Sequence, residues 1–303
     1  MEQQNPLISV LIASYNHERY IEETIRSIWN QAYRNVEIVV VDDCSPDSSW
    51  EILKRLVQVS PVPMRIARNE HNSGPSATFN AALTMAEGEL AAFVASDDVF
   101  AENRFAGSAQ LFVEQPNLQV VFANGRTIRD GVVGGRIHAK KALGLLTLPL
   151  KAIQYSLYTQ TSPLFIQAAL FRKSVLDRVG GFDSDTLADD WLLNSRVFAS
   201  LEAEDQYAYL DEDVVFYRQH DDNVHKNYQR HERLKFEFIE KHTPEQFKPA
   251  GFANIYYWAA GQRLKRGEFQ LAWKYYRCAQ KSQFRWSRMR FVIAWLQRRL
   301  KLK

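Results

Sequence analysis

"AAFVASDDVF" (residues 91–100) runs an apolar stretch straight into two adjacent carboxylates, Asp97 and Asp98. Two such charges side by side repel each other unless something positive lies between them. The same grammar occurs upstream, where "VEIVVVDD" (36–43) is a nearly continuous apolar run ending in Asp42 and Asp43. Unbroken runs of this kind suit strands of a parallel sheet covered on both faces. "LISVLIASYN" reads as an earlier strand, and Glu18 to Gln31 as an amphipathic helix, with Tyr20, Ile21, Ile25, Ile28 and Trp29 at helical spacing. "SSWEILKRLV" predicts a second helix with serine available as its cap. "MRIARNE" predicts a short strand, and "PSATFNAALTMA" a helix ended by Gly88. Strand and helix alternate over the first hundred residues, the pattern of a doubly wound α/β sheet. Ligands of such sheets lie beyond the carboxyl ends of the strands, so both acid pairs fall on one rim. A third pair, Asp189 and Asp190 in "LADDWLLNSRV", opens a later helix whose Leu192, Leu193 and Val197 are expected in the core.

The chain is 303 residues long, 46% hydrophobic and 24% charged. These values fit a folded globular protein of one large domain with an appendage, and exclude a disordered or fibrous chain. Two cysteines, Cys44 and Cys278, stand far apart with no partner at metal-ligand spacing, which gives neither a disulfide framework nor a zinc site. The start of the chain lacks the features of an export signal, and no apolar run reaches the length that crosses a bilayer. The expected location is the cytoplasm. The net charge of +3 hides an asymmetry: Gly261 to Lys303 carries thirteen Lys and Arg against one acid, Glu268, which leaves the rest of the chain net acidic.

Residues 125–165 mix glycines, "HAKK" and "LGLLTLPL", and no element can be assigned there from pattern alone; they are candidates for shaping the site of a second substrate. From about Asn223 the pattern turns helical. "GQRLKRGEFQLAWKYYRCAQKS" resembles one helix-turn-helix unit of a tetratricopeptide-type repeat, with Gly267 at the bend and Ala272, Tyr276 and Ala279 on the packing face. No second copy exists, so a repeat array is not expected. The predicted organisation is a domain over 1–225 and a helical, basic extension over 226–303.

Seven motifs, "VLIASYNHERYIEETIRSI", "VEIVVVDDCSPDSS", "NSGPSATFNAALTMAEGE", "FVASDD", "ALFRKSVLDRVGGFD", "ADDWLLNSRV" and "YRQHDDN", follow in an order and spacing that resembles the family 2 glycosyltransferases, which have the GT-A fold: a Rossmann-like α/β domain with a mixed, mostly parallel sheet. The resemblance spans about residues 6 to 225. It implies an inverting transfer of one sugar from a nucleotide-sugar, a UDP-sugar by expectation. It also implies a divalent cation, Mn²⁺ or Mg²⁺, held at the paired acid after the fourth strand, with Asp98 as metal ligand and Asp97 on the donor's side. Oxygen-rich groups of this type suit a hard cation, and a cation with a diphosphate would make the two carboxylates compatible. The plain alternative for an isolated acid pair is a cap or a solvated loop.

By the same resemblance Asp43 accepts a hydrogen bond from the nucleotide base, Tyr15 packs on that base, and Asp190 is the general base that deprotonates the acceptor hydroxyl. An ordinary helix cap would also explain Asp190. His220, in "YRQH", is a further metal ligand or a structural histidine, and Arg218 a phosphate or structural contact. Gly74 permits close backbone approach, and Asn80 on the helix behind it is counted with the donor site; a turn followed by a helix explains both equally. Cys44 stands where the family has glycine, Asp189 where it has glutamate, and Ala95 where many members carry an extra acid.

The terminal "FRWSRMRFVIAWLQRRLKLK" interleaves basic residues with Phe284, Trp286, Met289, Phe291, Ile293, Trp295 and Leu296. Such a mixture suits a helix lying on an anionic membrane, with a glycan or lipid-linked glycan acceptor of surface polysaccharide or lipopolysaccharide; the alternative is a helix packed on the main domain. No nucleic-acid-reading motif accompanies the charge, so nucleic acid is not an expected partner. A dinucleotide oxidoreductase would need a Gly-x-Gly-x-x-Gly turn after the first strand, and "ASYNHERY" has none. A non-catalytic nucleotide-sugar-binding scaffold is the remaining alternative.

Overall fold

A computed structural model describes residues 5–139, 144–160, 164–186, 189–219 and 228–282. The chain divides into two compact units, with the boundary at residues 223/224 and the stretch 154–162 going with the second. In the first unit β1 (Ile8–Ser14), α1 (Ile21–Trp29), β2 (Val36–Asp42), α2 (Ser49–Gln58), β3 (Met64–Arg68), α3 (Pro75–Met85) and β4 (Leu90–Ala95) follow the alternation expected from the sequence. Then come β5 (Val99–Phe100), α4 (Ala106–Glu114), β6 (Val120–Arg129), β7 (Val132–Arg136), α5 (Leu150–Thr159), β8 (Leu170–Arg172), α6 (Lys173–Val179), α7 (Asp189–Ala199) and β9 (Tyr207–Arg218).

The strands form one sheet in the order β3-β2-β1-β4-β8-β6-β9-β5, with β7 attached to β6. Pairing is parallel across β3, β2, β1 and β4 and antiparallel at β8, which inserts between β4 and β6. The mixed, mostly parallel α/β sheet of the sequence reading is therefore present. Its parallel half explains the unbroken apolar runs, since all seven residues of β2 are buried. One face packs Ile8, Val10, Ile12, Ile38 and Val40 under α1 and α2 residues such as Ile25 and Leu53. Elsewhere, rings from several elements meet: Phe93 lies 5.3 Å from Phe79, 5.1 Å from Phe182 and 6.0 Å from Phe171.

The described part of the second unit is helical: the end of α5, then α8 (Tyr228–His242), α9 (Lys248–Lys265) and α10 (Phe269–Ser282). Thr243 Oγ1 donates to the Tyr158 carbonyl and Asn254 Nδ2 to that of Thr159, which ties the end of α5 to this unit. α9 and α10 form the expected hairpin. Gly267 at the bend has φ +78°, a conformation glycine adopts without steric cost, and Ala272, Tyr276 and Ala279 are buried as predicted. Among the described residues no helix is long and apolar enough to cross a membrane. The basic tail from 283 lies outside the described residues.

Candidate active site

Parallel pairing brings the carboxyl ends of β1, β2 and β4 side by side, with Ser14 opposite Asp42 and Ala13 opposite Ala95. The three following loops are stitched together. The Asn16 amide donates to Ser45 Oγ (3.1 Å) and the His17 amide to Ser49 Oγ (3.1 Å). His17 Nδ1 lies 2.8 Å from Ser96 Oγ. Cys44 adopts φ +60°, so it keeps the left-handed geometry that glycine adopts freely, at a cost of roughly 1–2 kcal/mol for a residue with a Cβ.

Asp98 is fully buried and Asp97 is 7% exposed. The Arg218 amide donates to Asp98 Oδ1 (2.9 Å), its Nε donates to the Asp97 carbonyl (2.7 Å), and its terminal nitrogen reaches Glu23 (2.7 Å). The same guanidinium lies 4.8 Å from the Tyr20 ring centroid, and Thr24 Oγ1 donates to the Asp98 carbonyl (2.7 Å). Arg218, one of the two roles open to it in the sequence, is thus a structural brace of the acid turn. Burial and then the neighbouring Asp97 push the Asp98 carboxyl well above its usual pKa, against the pull of Arg218. Asp98 Oδ2 is buried without a hydrogen-bond partner. Such an atom is costly to leave unpaired, and a hard cation would satisfy it. Among the described residues no group of three or more His, Cys, Asp or Glu could hold a metal ion alone, so a cation here would draw its other ligands from a phosphate, from water or from residues outside that set. His220 lies outside the described residues.

Asp43, buried at the end of β2, takes Asn69 Nδ2 (2.7 Å) and the Ser73 amide (2.8 Å) on Oδ1, and the Gly74 amide (2.8 Å) on Oδ2. A carboxylate has about four acceptor sites, so one remains for a ligand. Tyr15, the next residue after β1, is 43% exposed, an aromatic face left open on the rim. Gly74 has φ +83° and open space where a Cβ would stand; its conformation, rather than crowding, requires glycine there.

Asp189 and Asp190 begin α7, and Asp190 keeps some exposed surface. Burial, then the charge of Asp189, push the Asp190 carboxyl well above its usual pKa. Asp189 Oδ1 accepts the Asp190 amide (2.9 Å) and its Oδ2 accepts Ser76 Oγ (3.1 Å). Asn80 differs from the expectation of a donor contact. Its Nδ2 donates to the Phe182 carbonyl and its Oδ1 accepts the Phe182 amide, both at 2.8 Å. The amide therefore clasps α3 to the segment after α6, because a backbone amide and carbonyl on one residue match both of its ends.

Sequence reasoning passed over His17 and Ser76. His17 Nε2 stands 3.9 Å from Asp97 Oδ2; its position just beyond a strand end was the only available signal. Ser76 lay in plain view inside "NSGPS", but its partner is 113 residues away.

Comparison with known proteins agrees with this geometry. The family model "Glycosyl transferase family 2" matches residues 9–180. The chain is 30% identical over 129 residues to the Escherichia coli UDP-Glc:alpha-D-GlcNAc-diphosphoundecaprenol beta-1,3-glucosyltransferase WfaP, a match covering 43% of this chain and 50% of that protein. It therefore spans about half the length of that relative. Among solved structures, S. aureus TarS 1–349 in complex with UDP-GlcNAc aligns with a TM-score of 0.59 at 17% identity, covering 91% of each chain. The mannosyltransferase PcManGT from Pyrobaculum calidifontis, in complex with GDP-Man and Mn²⁺, aligns with a TM-score of 0.60 at 20% identity, covering 98% of this chain and 88% of that one. These two likenesses are of fold. With the motif order, the mixed sheet and the family match in agreement, the chain belongs to glycosyl transferase family 2.

Proposed function

We propose that the chain transfers one sugar from a UDP-sugar to a hydroxyl of a glycan or lipid-linked glycan, with inversion at the anomeric carbon, in the building of a surface polymer. The observation that carries the reading is the edge at the carboxyl ends of the strands: Asp98, its pKa pushed up by burial, and Asp43, with one acceptor site unused, lie there, and Asp190, likewise pushed up, is tied to it through Asp189 and Ser76 at the start of α3. Perturbed carboxylates gathered in this way are characteristic of reacting sites. The name of the WfaP relative supports a UDP-sugar and a lipid diphosphate acceptor.

In this reading Tyr15 packs on the base and Asp43 accepts its N–H. Asp97 and Asp98, with His220 as a further group, hold a divalent cation, Mn²⁺ or Mg²⁺. When bound, that cation offsets the charge on the diphosphate leaving group. Asp190 takes the proton from the acceptor hydroxyl as its oxygen attacks the face opposite the diphosphate, so one bond forms at the anomeric carbon as the bond to phosphate breaks. A carboxyl whose pKa is raised by burial suits that task, because the carboxylate is then the stronger base.

The test is nucleoside diphosphate release from a panel of nucleotide-sugars, with and without Mn²⁺, for the wild type and Asp98→Ala. Cation-dependent release that is lost in Asp98→Ala supports the reading; release indifferent to both removes it. The basic segment 283–303 is proposed to hold the protein on an anionic membrane surface. Equal recovery of the full chain and of a version ending near Gln280 with anionic vesicles would end that part of the proposal.

A further inference from the structure

Asp43 and Asp190 come from distant parts of the chain, yet one short segment touches both neighbourhoods. Asp43 holds the amides of Ser73 and Gly74, each at 2.8 Å. Gly74 is the cap residue of α3, and two positions on, Ser76 Oγ donates to Asp189 Oδ2 (3.1 Å). The other oxygen of Asp189 accepts the amide of Asp190 (2.9 Å). Four hydrogen bonds thus run from the acid at the end of β2 to the first turn of α7.

Ser76 is not needed by its own helix. Pro75 already provides the favourable first turn, Gly74 makes no side-chain cap bond, and the hydroxyl is spent on a carboxylate instead. Ser76 is buried, so an isolated hydroxyl or carboxylate oxygen at this contact would be costly. At its far side α3 is clasped to Phe182 through both ends of the Asn80 amide. Residues 73–74, held by Asp43, and the Ser76–Asp189 contact therefore lie together at the start of a helix that Asn80 anchors farther along.

We propose that Ser76 is a positioning residue that couples the nucleotide pocket to the general base: it fixes Asp189, and through it the first turn of α7 bearing Asp190, in register with the segment held by Asp43. This rests on the reading of Asp43 and Asp190 given above. A ligand that bonds Asp43 draws on the same carboxylate that holds Ser73 and Gly74, so occupancy of the pocket changes the balance of forces on the segment. By linkage, the coupling is reciprocal: ordering the base strengthens donor binding by the same factor.

The test uses full-length protein, with UDP and Mn²⁺ as binding probes and UDP-glucose as the turnover probe. Addition of UDP and Mn²⁺ is expected to slow hydrogen exchange at residues 190–193 in the wild type. Ser76→Ala should lose that added protection, its UDP affinity should fall by no more than the factor by which UDP slows exchange in the wild type, and the conservative Ser76→Thr should restore both. For UDP release from UDP-glucose, kcat in Ser76→Ala falls roughly ten- to hundredfold with KM unchanged, the loss expected of a misplaced reacting group. Wild-type protection and kcat in Ser76→Ala overturn the proposal. So does a loss of UDP affinity in that variant larger than that exchange factor, which would make the hydroxyl a mere support of the pocket. If Asp190→Asn releases UDP at the wild-type rate, the base assignment fails by itself, and the exchange measurement still decides the coupling. A wild type that binds no UDP overturns both.

Discussion

Of the three described pairs of adjacent aspartates in the first unit, two have one carboxyl pushed above its usual pKa by burial and then by its neighbour: Asp97/Asp98 and Asp189/Asp190. They differ in what stands opposite. Asp98 receives an amide of Arg218, and the guanidinium of the same residue spans the Asp97 carbonyl, Glu23 and the face of Tyr20. Among the described residues no cation pulls the Asp190 pKa back down; its neighbour Asp189 is held by a hydroxyl and an amide. The first pair is fixed by a cation and still keeps one buried oxygen unpaired, an arrangement that calls for a second positive group. The second has its pKa raised with no such compensation, and so suits gaining and losing a proton. Identical dipeptides acquire different chemistry from the elements packed around them.

The contrast is most easily broken at the base. Asp190→Asn should lower sugar transfer by ~10²–10⁴, the usual worth of general-base help, and leave UDP binding unchanged; a fall in UDP affinity instead would assign Asp190 to the donor. Asp98→Ala should do the reverse, with Mn²⁺-dependent UDP binding weakened by about a hundredfold or more and the small residual binding insensitive to EDTA. The brace comes next. Arg218→Lys keeps a positive charge but cannot span the Asp97 carbonyl and Glu23 together. It should weaken Mn²⁺-linked UDP binding by about tenfold, as for loss of a group that orients metal ligands, measured by calorimetry with and without the ion.

The same contrast runs through what the sequence made legible. β1, β2, β4 and the helices between them could be read because burial on both faces leaves unbroken apolar runs and the helices repeat at a 3.6-residue period. Residues 125–165 could not. β6 passes from six buried residues to four increasingly exposed ones, and β7 pairs with β6 alone, leaving Val132 71% and Val133 45% exposed. No single period describes such segments, and β8 has only three residues. At the site, the acids were legible because doubled charges at strand ends need a reason. The groups that orient them were not, since the Arg218 contacts with the pair span about 120 residues and depend on a strand that pairs late in the chain. Buried Arg104, which donates to the Ala169 carbonyl and sits against Phe100 and Phe105, was invisible for the same reason.

The smallest effect is also the sharpest in sign. Since Asp189 adds to the upward push on Asp190, Asp189→Asn removes a like charge and should lower the Asp190 pKa, moving the acid limb of kcat toward lower pH. A limb that moved upward would mean that Asp189 acts through its hydrogen bonds and not its charge. Stability should follow the same protonation. A carboxyl whose folded-state pKa is raised contributes stability below its unfolded pKa, near 3.9, and that contribution is lost as pH rises through the folded value. Asparagine cannot ionise. Asp190→Asn should therefore match the wild type in Tm near pH 4 and exceed it near pH 8, by roughly 2–4 °C for each kcal/mol of penalty removed. The inactive variant would then be the more stable protein, as expected where an active site holds a carboxylate in surroundings that disfavour its charge; a Tm lower than wild type at pH 8 would show that Asp190 supports α7 as an ordinary cap.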